Sequence, residues 1–277
     1  MPYKHFGRIG DVWKHLPLGE ILKIEKPNKY IETNSAFPKY KIKEDWKIDY
    51  GIKWFIKNAD ELTETEYVRI EQEYLNRSEY LGSTGIAMDI LGNSCKEYHF
   101  YDIEKDALLK NEEYADKLSL SNVFTHIGDS RTTPLDIIPK LNHKDFIHID
   151  PYTILDTNSN GHSYSKLFES TLGNNIKSLL WYGYDNDKEK IKIRDWAENV
   201  IHSHKKNQIK LYEIEIVNLQ NLPQELNPGI KGCGILIANL TQTSFDVVEK
   251  QFQLILKIYN KVEVKAGVNF KIKGFKI

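Results

Sequence analysis

The sequence has little cysteine and no long apolar run, and each shortage excludes a class of protein. Its two cysteines among 277 residues, Cys95 and Cys233, lie far apart and lack the spacing of metal ligands. We therefore expect neither a disulfide framework nor a structural zinc, and we expect a reducing, cytoplasmic setting. The mean hydropathy is -0.51, which argues against a membrane span, and no apolar segment follows the first residues as it would in a signal peptide.

Neither sign of charge is in excess. The 38 lysines and arginines balance 39 aspartates and glutamates, which gives a net charge of -1. Proteins that act on nucleic acid are often basic, so this balance counts mildly against such a partner. It does not exclude one, because basic side chains can cluster on one face of a neutral protein.

Short runs of β-branched and aromatic residues alternate with stretches of helical period. This alternation predicts an α/β fold with a mostly parallel sheet of seven strands. The last two strands are joined without a convincing helix, so we expect them to pair antiparallel at the edge of the sheet. The predicted strands are 29–34, 97–104, 122–129, 145–152, 178–184, 209–217 and 232–240.

The stretch 41–80 interrupts this alternation. It has helical spacing, no strand pattern, and a candidate capping box formed by Thr63 and Glu66. We predict a helical insertion here, within a single domain that covers residues 1–277.

The loop after the first predicted strand, residues 32–40, contains no glycine. Dinucleotide fingerprints and phosphate-binding loops need glycines so that the backbone can approach a phosphate, and both motifs are therefore excluded here. A nucleoside cofactor without phosphates, held near small side chains such as Asn34, fits this loop better. S-adenosylmethionine is the obvious candidate.

Acidic residues close four of the predicted strands: Glu32, Asp102, Asp129 and Asp150. Because the carboxyl ends of parallel strands share one edge of a sheet, we expect these carboxylates to face a single crevice. One carboxylate could accept the ribose hydroxyls of a cofactor, and the next could accept the exocyclic amine of its adenine. A single acid at a strand end is more typical of a helix cap or a solvated loop. The prediction of a cofactor site therefore rests on four such acids at successive strand ends.

The fourth of these strands runs into Asp150-Pro151-Tyr152. An exocyclic amine is a weak nucleophile because its lone pair is delocalised into the ring. The carboxylate and the Pro151 carbonyl could accept its hydrogens, while the proline stiffens the turn and the tyrosine stacks on the ring. Taken alone, the tripeptide is more typical of an ordinary turn.

Several pieces of the sequence occur in the order found in the bacterial 23S rRNA adenine-N6 methyltransferase family (RlmJ), which the chain resembles over nearly its whole length. The pieces are "HFGRIGDVWKH" (5–15), "YIETNSA" (30–36), "YLGSTGIAMDIL" (80–91), "FIHIDPY" (146–152), "LLWY" (179–182) and "GCGILIANL" (232–240). The resemblance implies a class I S-adenosylmethionine-dependent methyltransferase fold, which is Rossmann-like, with a helical insertion at this place. It also implies an adenine N6 in ribosomal RNA as the methyl acceptor.

Residue roles follow from the resemblance, position by position. The implied catalytic residues are Asp150, Pro151 and Tyr152, with Lys14 helping to close the site. The implied cofactor-binding residues are His15, Asn34, Ser83, Asp102, Asp129 and Ser130. No metal ligand is implied.

The chain departs from the family pattern at two places that bear on function. The family's Asp-Pro-Pro-Tyr reads Asp-Pro-Tyr-Thr here, so Tyr152 stands one place early, and the glycines after the first strand are replaced by Phe37 and Lys39. N-methylation of a ribosomal RNA adenine is therefore the first of three hypotheses. The others are a methyltransferase with a small-molecule or protein acceptor, and a cofactor-binding protein without catalysis. We expect a monomer with no membrane partner.

Overall fold

The structure, a computed structural model, describes residues 6–42, 51–59, 64–217, 229–260, 263–265, 268–269 and 271–277. The helices are α1 (Ile9–Glu25), α2 (Ile52–Lys57), α3 (Glu66–Leu75), α4 (Ser83–Leu91), α5 (Lys105–Lys117), α6 (Tyr164–Leu172), α7 (Asp187–Ser203) and α8 (Gln242–Tyr259). The strands are β1 (Lys29–Thr33), β2 (Lys39–Lys41), β3 (Glu79–Leu81), β4 (Glu97–Asp102), β5 (Val123–Ile127), β6 (Phe146–Ile149), β7 (Lys177–Tyr184), β8 (Ile209–Val217), β9 (Gly232–Ala238), β10 (Glu263–Lys265), β11 (Val268–Asn269) and β12 (Lys271–Lys276).

Eight strands form one sheet in the order β12-β8-β9-β7-β6-β1-β4-β5. Strands β7, β6, β1, β4 and β5 are parallel to one another. Strand β9 runs antiparallel between β7 and β8. A parallel sheet with one reversed strand inserted near its end, and with helices between the strands, is the class I methyltransferase fold, so the expected fold class is confirmed.

Strand β12 was not predicted, and it makes the sheet eight-stranded rather than seven-stranded. It pairs antiparallel with β8, with Lys271 opposite Val217 and Lys276 opposite Tyr212. The antiparallel pairing of β8 with β9 is confirmed, but the edge of the sheet is β12. The sequence of β12, KIKGFK, combines lysines with a glycine and resembles a loop; lysines on an edge strand discourage pairing with another chain.

The centre of the sheet is buried on both faces, as is usual for parallel strands that have helices on either side. Along β6, Phe146 belongs to one apolar cluster, and Ile147 and Ile149 belong to the other. This alternation explains why the strand reads as a continuous apolar run in the sequence. No helix within the described ranges is long and apolar enough to cross a membrane.

Helix α1 carries Lys14 and His15 and is buried around most of its circumference. Thirteen of its 17 residues are buried, and it packs against α3, α4 and α8 as well as against β7 and β9. A helix that is buried on nearly all sides is held by its packing partners. The orientation of Lys14 and His15 is therefore set by the surrounding helices.

Helices α2 and α3 lie in the stretch that was predicted to be helical. That stretch ends in β3, a strand that the pattern did not predict, which pairs antiparallel with β2 and sets Tyr40 opposite Tyr80. The cap of α3 is Thr65, whose side chain accepts a hydrogen bond from the amide of Val68. The proposed cap Thr63 lies outside the described residues.

Replacing Glu71 in α3 by glutamine is expected to stabilise the protein at neutral pH. Glu71 is fully buried, and this burial raises the pKa of its carboxyl well above its ordinary value, although the Leu81 amide opposes the shift. The folded protein thus keeps a proton that the unfolded chain releases, so stability falls by up to about 1.4 kcal/mol per pH unit above the unfolded-state pKa. Urea unfolding at pH 4 and pH 8 should show a gain for Glu71→Gln only at the higher pH.

The matched control for this change is Glu73→Gln, on an exposed position of the same helix. It should change the free energy of unfolding by less than about 0.5 kcal/mol at either pH. A Glu71→Gln variant that is less stable than the wild type at pH 8 would contradict a protonated Glu71.

Candidate active site

A cavity of about 480 Å³ opens where β1 and β6 end. Helix α1 and the start of α4 form part of its wall, and β7 and the β2–β3 pair form the rest. Aromatic rings make up much of the lining: Phe6, Phe37, Tyr40, Tyr80, Tyr152 and Trp181. Such a cavity, mostly apolar with a few convergent polar groups, is typical of a site for a small ligand or a single base.

An ion pair between Lys14 and Asp150 lies in this cavity. The Lys14 Nζ atom is 2.7 Å from Asp150 Oδ2 and 3.4 Å from Asp11 Oδ1, and it lies 5.0 Å from the centre of the Trp181 ring. Burial opposes the charge of Lys14, but the carboxylates of Asp150 and Asp11 outweigh it and raise the pKa of the amine. Burial raises the pKa of Asp150, and Lys14 partly offsets that shift. The close contact favours the charged pair.

The second carboxylate oxygen of Asp150 is unpaired among the described residues. The amide of Asp150 donates to Thr33 Oγ1 at 3.1 Å, which ties the end of β6 to the end of β1. Asp150 Oδ1 is buried and has no hydrogen-bond partner in the described part of the chain. A buried acceptor left unpaired costs about 1–3 kcal/mol. Because Asp150 lines the cavity, an unpaired oxygen of this kind suits a ligand that carries an N–H or O–H donor.

His15 presents a neutral imidazole to the same cavity. Its Nδ1 atom lies 2.8 Å from the Tyr80 hydroxyl, and its Nε2 atom is buried without a partner among the described residues. Burial, together with the charge of Lys14 and nearby His148, lowers the pKa of His15 well below its ordinary value. The ring is therefore uncharged at physiological pH and can exchange one hydrogen bond with a ligand.

A buried carboxylate, Glu32, lies behind the cavity wall. It accepts hydrogen bonds from the hydroxyls of Ser83 and Tyr30, and His148 Nδ1 lies 3.5 Å from it. Ser83 lines the cavity but Glu32 does not. The Ser83 hydroxyl is thus held by Glu32 at the first residue of α4.

The β1–β2 loop, residues 34–38, is fastened to Asp102. The Asp102 carboxylate accepts the Ala36 amide at 2.9 Å and the Glu104 amide at 2.8 Å. Asn111 in α5 donates to the Ala36 carbonyl at 2.8 Å. Asp102 is only 1% exposed and does not line the cavity. Its carboxylate therefore supports the loop in this structure.

Two residues of this loop have left-handed backbone conformations without being glycine. The φ angles are 54° at Asn34 and 49° at Ala36. Asparagine adopts the left-handed conformation readily, whereas alanine is destabilised in it by about 1–2 kcal/mol. The loop is accordingly strained at Ala36, the residue that contacts Asp102 and Asn111.

We expect Ala36→Gly to raise the free energy of unfolding by about 0.5–1 kcal/mol. Glycine removes the backbone strain, and the greater conformational entropy that it gives the unfolded chain offsets only part of this gain. The matched control is Ala107→Gly inside α5, where the backbone is helical and the same change should cost about 1 kcal/mol. Urea unfolding measures both values. Equal losses in the two variants would show that the loop is not strained.

Asp129 and Ser130 lie beyond this loop and do not line the cavity. Arg131 Nε is 2.9 Å from the Asp129 carboxylate, and Asn158 donates to it at 2.8 Å. Arg131 lowers the pKa of Asp129 to about 2. The Ser130 hydroxyl accepts the Asn34 amide at 3.4 Å and donates to the Tyr101 carbonyl at 3.3 Å.

The structure brings most of the predicted site residues to one cavity. Those that line it are Lys14, His15, Asn34, Ser83, Asp150, Pro151 and Tyr152. Those that do not are Asp102, Asp129 and Ser130, so of the four strand-end acids only Asp150 reaches the cavity. Among the residues that the structure describes, no cluster of histidines, cysteines and acids could hold a metal ion.

Sequence reasoning missed several residues of the cavity. They are Phe6, Asp11, Tyr40, Tyr80 and Trp181. Asp11 could have been found, because it stands one helical turn before Lys14 and so shares its face. The aromatic residues carry no comparable signal, since aromatic side chains at such spacings are common in ordinary cores.

Comparison with known proteins shows the fold. No protein-family model matches the chain, and no curated protein matches it. Protein LPL1258 from Legionella pneumophila, of the family-model DUF519, is 20% identical to this chain. The alignment covers 99% of this chain and 98% of that one, with a TM-score of 0.71. At this identity the likeness establishes a shared fold over the full length of both chains.

More distant solved structures include methyltransferases. The O-methyltransferase from Bacillus cereus in complex with SAH is 10% identical over 81% of this chain and 80% of that chain, with a TM-score of 0.44. An rRNA methylase from Streptococcus thermophilus is 8% identical over 80% of this chain and 94% of that chain, with a TM-score of 0.39. Likenesses this distant do not bear on activity.

Proposed function

We propose that the chain is an S-adenosylmethionine-dependent methyltransferase that methylates an exocyclic amine, and that the amine is the N6 group of an adenine in ribosomal RNA. The class I methyltransferase fold supports the cofactor class, and the family resemblance supplies the acceptor. The observation that carries the proposal is Asp150, which lines an aromatic cavity and whose buried Oδ1 atom has no hydrogen-bond partner among the described residues.

The cavity residues fit a cofactor of this kind. His15 Nε2 and Asp150 Oδ1 are buried polar atoms without partners among the described residues, and both residues line the cavity. Two large apolar side chains near the strand-end acids are exposed, Ile103 at 70% and Ile127 at 62%. Exposed apolar side chains in this position offer a surface for an adenine ring. His15, Asn34 and Ser83 would hold the amino-acid end, and Asp102 could reach the ribose once the Ala36 amide releases it.

The chemistry of the chain's own residues follows from the Lys14–Asp150 pair. The bound cofactor would supply a methyl group on a sulfonium, whose S–C bond breaks as the methyl group is transferred and leaves S-adenosylhomocysteine as a neutral thioether. Asp150 Oδ1 accepts one N–H of the acceptor amine, and the Pro151 carbonyl accepts the other, which localises the nitrogen lone pair. When the new N–C bond forms, the nitrogen must lose a proton, and Asp150 Oδ1 is the acceptor already bonded to it. Lys14 holds Asp150 Oδ2 at 2.7 Å and keeps the carboxylate oriented.

Water is kept away from the reacting atoms by the aromatic lining. The side chains of Lys14 and Asp150 are only 9% and 8% exposed. In such surroundings the interaction between the carboxylate and the amine is stronger than in water. Positioning and desolvation would therefore supply most of the rate enhancement.

A second candidate is a cofactor-binding protein that lacks turnover. It is favoured by the engagement of Asp102 with two backbone amides and by the pairing of Asp129 with Arg131. A third candidate, a methyltransferase of a small molecule or a protein, is favoured by the near-neutral charge of the chain. The three candidates differ in whether a methyl group is transferred and in which acceptor receives it.

Isothermal titration with S-adenosylmethionine and S-adenosylhomocysteine tests the cofactor first. The wild type should bind both in the micromolar range, Asp102→Ala should bind at least tenfold more weakly, and the control Asp116→Ala, at an exposed position of α5, should bind as the wild type does. Absence of binding to the wild type would overturn the proposal. Transfer of labelled methyl groups to unmodified ribosomal RNA, followed by nucleoside analysis, then tests the acceptor: N6-methyladenosine supports the first candidate, and cofactor binding without transfer to the RNA supports the second or the third.

A further inference from the structure

Tyr152 makes three contacts with the end of β7 and the residue that follows it. Its hydroxyl donates to Asp185 Oδ1 at 2.5 Å. The Gly183 amide donates to the Tyr152 carbonyl at 3.0 Å. The ring itself packs on Gly183. These contacts fix both the backbone and the side chain of the residue that follows Asp150 and Pro151.

Gly183 provides the space in which this ring lies. A Cβ atom at position 183 would come within 2.5 Å of Cε2, 2.9 Å of Cδ2 and 3.2 Å of Cζ of the Tyr152 ring. Real Cβ atoms do not approach a ring this closely, so any side chain here would push the ring away. These three atoms are neighbours in the ring, so this part of the Tyr152 ring lies over the Cα of Gly183.

Part of the Tyr152 side chain remains exposed at the cavity. Tyr152 lines the cavity together with Asp150 and Pro151, and the residue is 37% exposed. The Trp181 ring is 6.3 Å away and tilted by 55°, so it does not stack on this surface. Burial, followed by the bond and charge of Asp185, raises the pKa of the Tyr152 phenol, which therefore remains a donor to Asp185.

We propose that Gly183 and Asp185 are positioning residues that hold the Tyr152 ring as a flat platform, on which a planar heteroaromatic ring bearing the acceptor amine stacks beside Asp150. Aromatic stacking on a base tolerates many bases because every base has a π-face. A flexible alkyl amine, such as a lysine side chain of a protein, would gain little from such a platform. The inference rests on the proposed function and gives a physical reason why its acceptor is a planar amine such as adenine and not an alkyl amine.

The platform also accounts for the early position of the tyrosine. In Asp-Pro-Tyr the tyrosine is attached to the backbone one residue closer to the aspartate than it is in Asp-Pro-Pro-Tyr. The bond to Asp185 and the space at Gly183 fix the ring where it stands. Both residues lie in the part of the chain that follows "LLWY", and neither could be assigned a role from the sequence.

The test uses the full-length protein with Tyr152→Phe, Asp185→Ala, Gly183→Ala and the double variant of the first two. Tyr152→Phe and Asp185→Ala remove the same bond, so each should raise KM for the acceptor about threefold to tenfold, and the double variant should be no worse than either single variant. Asp185→Asn keeps an acceptor oxygen and should restore most of the loss. Asp195→Ala, an exposed aspartate on α7, should behave as the wild type. Little change is expected in kcat or in cofactor affinity.

Adenosine titrated into protein with ¹³C-labelled tyrosine rings provides a readout that does not depend on turnover. Stacking should shift the Tyr152 ring resonances, and Gly183→Ala should weaken adenosine binding by roughly tenfold or more. If adenosine binds without affecting Tyr152, or if Asp185→Ala matches Asp195→Ala, the platform is refuted.

If the wild type neither binds S-adenosylmethionine nor transfers methyl groups, the proposed function fails. The adenosine titration then still decides the platform, because a shift at Tyr152 that Gly183→Ala abolishes supports it and no shift refutes it.

Discussion

Methyl transfer is expected to fall by about 10³-fold when Asp150 is replaced by asparagine, while cofactor binding persists. Asparagine has nearly the same shape, but it has no negative charge, and one of its two terminal atoms is a donor. If the amide nitrogen takes the place of Oδ1, it faces the acceptor amine with a hydrogen and repels it. The amide oxygen then stands in the place of Oδ2 and still accepts from Lys14, 2.7 Å away, but the negative charge beside this ammonium, which is only 9% exposed, is lost.

The control must separate lost chemistry from lost folding, because breaking a buried ion pair costs about 3–5 kcal/mol. Circular dichroism and urea unfolding at the assay temperature establish whether the variant is folded. Asp150→Glu retains the charge but moves it by one methylene, so it should fold better and still lose most of the activity. Asp116→Asn, at an exposed site, should retain full activity. A folded Asp150→Asn enzyme within about threefold of wild-type kcat would contradict the role of Asp150 in orienting the amine.

The largest expected effect on stability lies on the opposite part of the sheet, at Glu213 in β8. Its side chain is fully buried and accepts hydrogen bonds from Tyr182 at 2.8 Å and Tyr184 at 3.0 Å. It also accepts a hydrogen bond from Arg194 Nη2 at 2.5 Å. Glu213→Ala would leave one guanidinium and two hydroxyls without this acceptor. We expect the free energy of unfolding to fall by about 3–5 kcal/mol.

Urea unfolding at pH 7 measures this loss. Glu213→Gln keeps the shape and one acceptor oxygen, so it should cost less, about 1–3 kcal/mol. Glu198→Ala removes an exposed glutamate of α7 and should change stability by less than about 0.5 kcal/mol. A Glu213→Ala variant as stable as Glu198→Ala would mean that water replaces the carboxylate without cost. Since Glu213 does not line the cavity, kcat of the folded fraction should stay the same.

The central strand positions were predictable because a central parallel strand is buried on both faces and is therefore a short apolar run between polar turns. β6 and β7 are examples, and their predicted bounds differ from the observed bounds by a few residues. Strand β12 was not predictable in this way, since it has a partner on one side only and its lysines face solvent at the edge. The backbone pairing with β8, and not an apolar pattern, makes it a strand.

The candidate site was predictable only in part. Asp150 could be identified as a residue at the mouth of the sheet, because it ends an apolar strand in the centre of the predicted order. The engagement of Asp102 by the Ala36 amide could not be foreseen. It depends on a left-handed backbone at two residues that are not glycine, and no local sequence pattern indicates such a conformation.

The sequence by itself determined the α/β class, the order of most helices and strands, and the place of Asp150 at the end of a buried strand. These features follow from periodicities of neighbouring residues, which act over a few residues of chain. Only the tertiary structure decided which side chains meet. Lys14 reaches Asp150 across 136 positions of sequence, and Tyr152 reaches Asp185 across 33. Contacts of this kind depend on how α1 and β7 pack around the cavity, because a side chain's partner is set by distances in the folded protein and not by its neighbours along the chain.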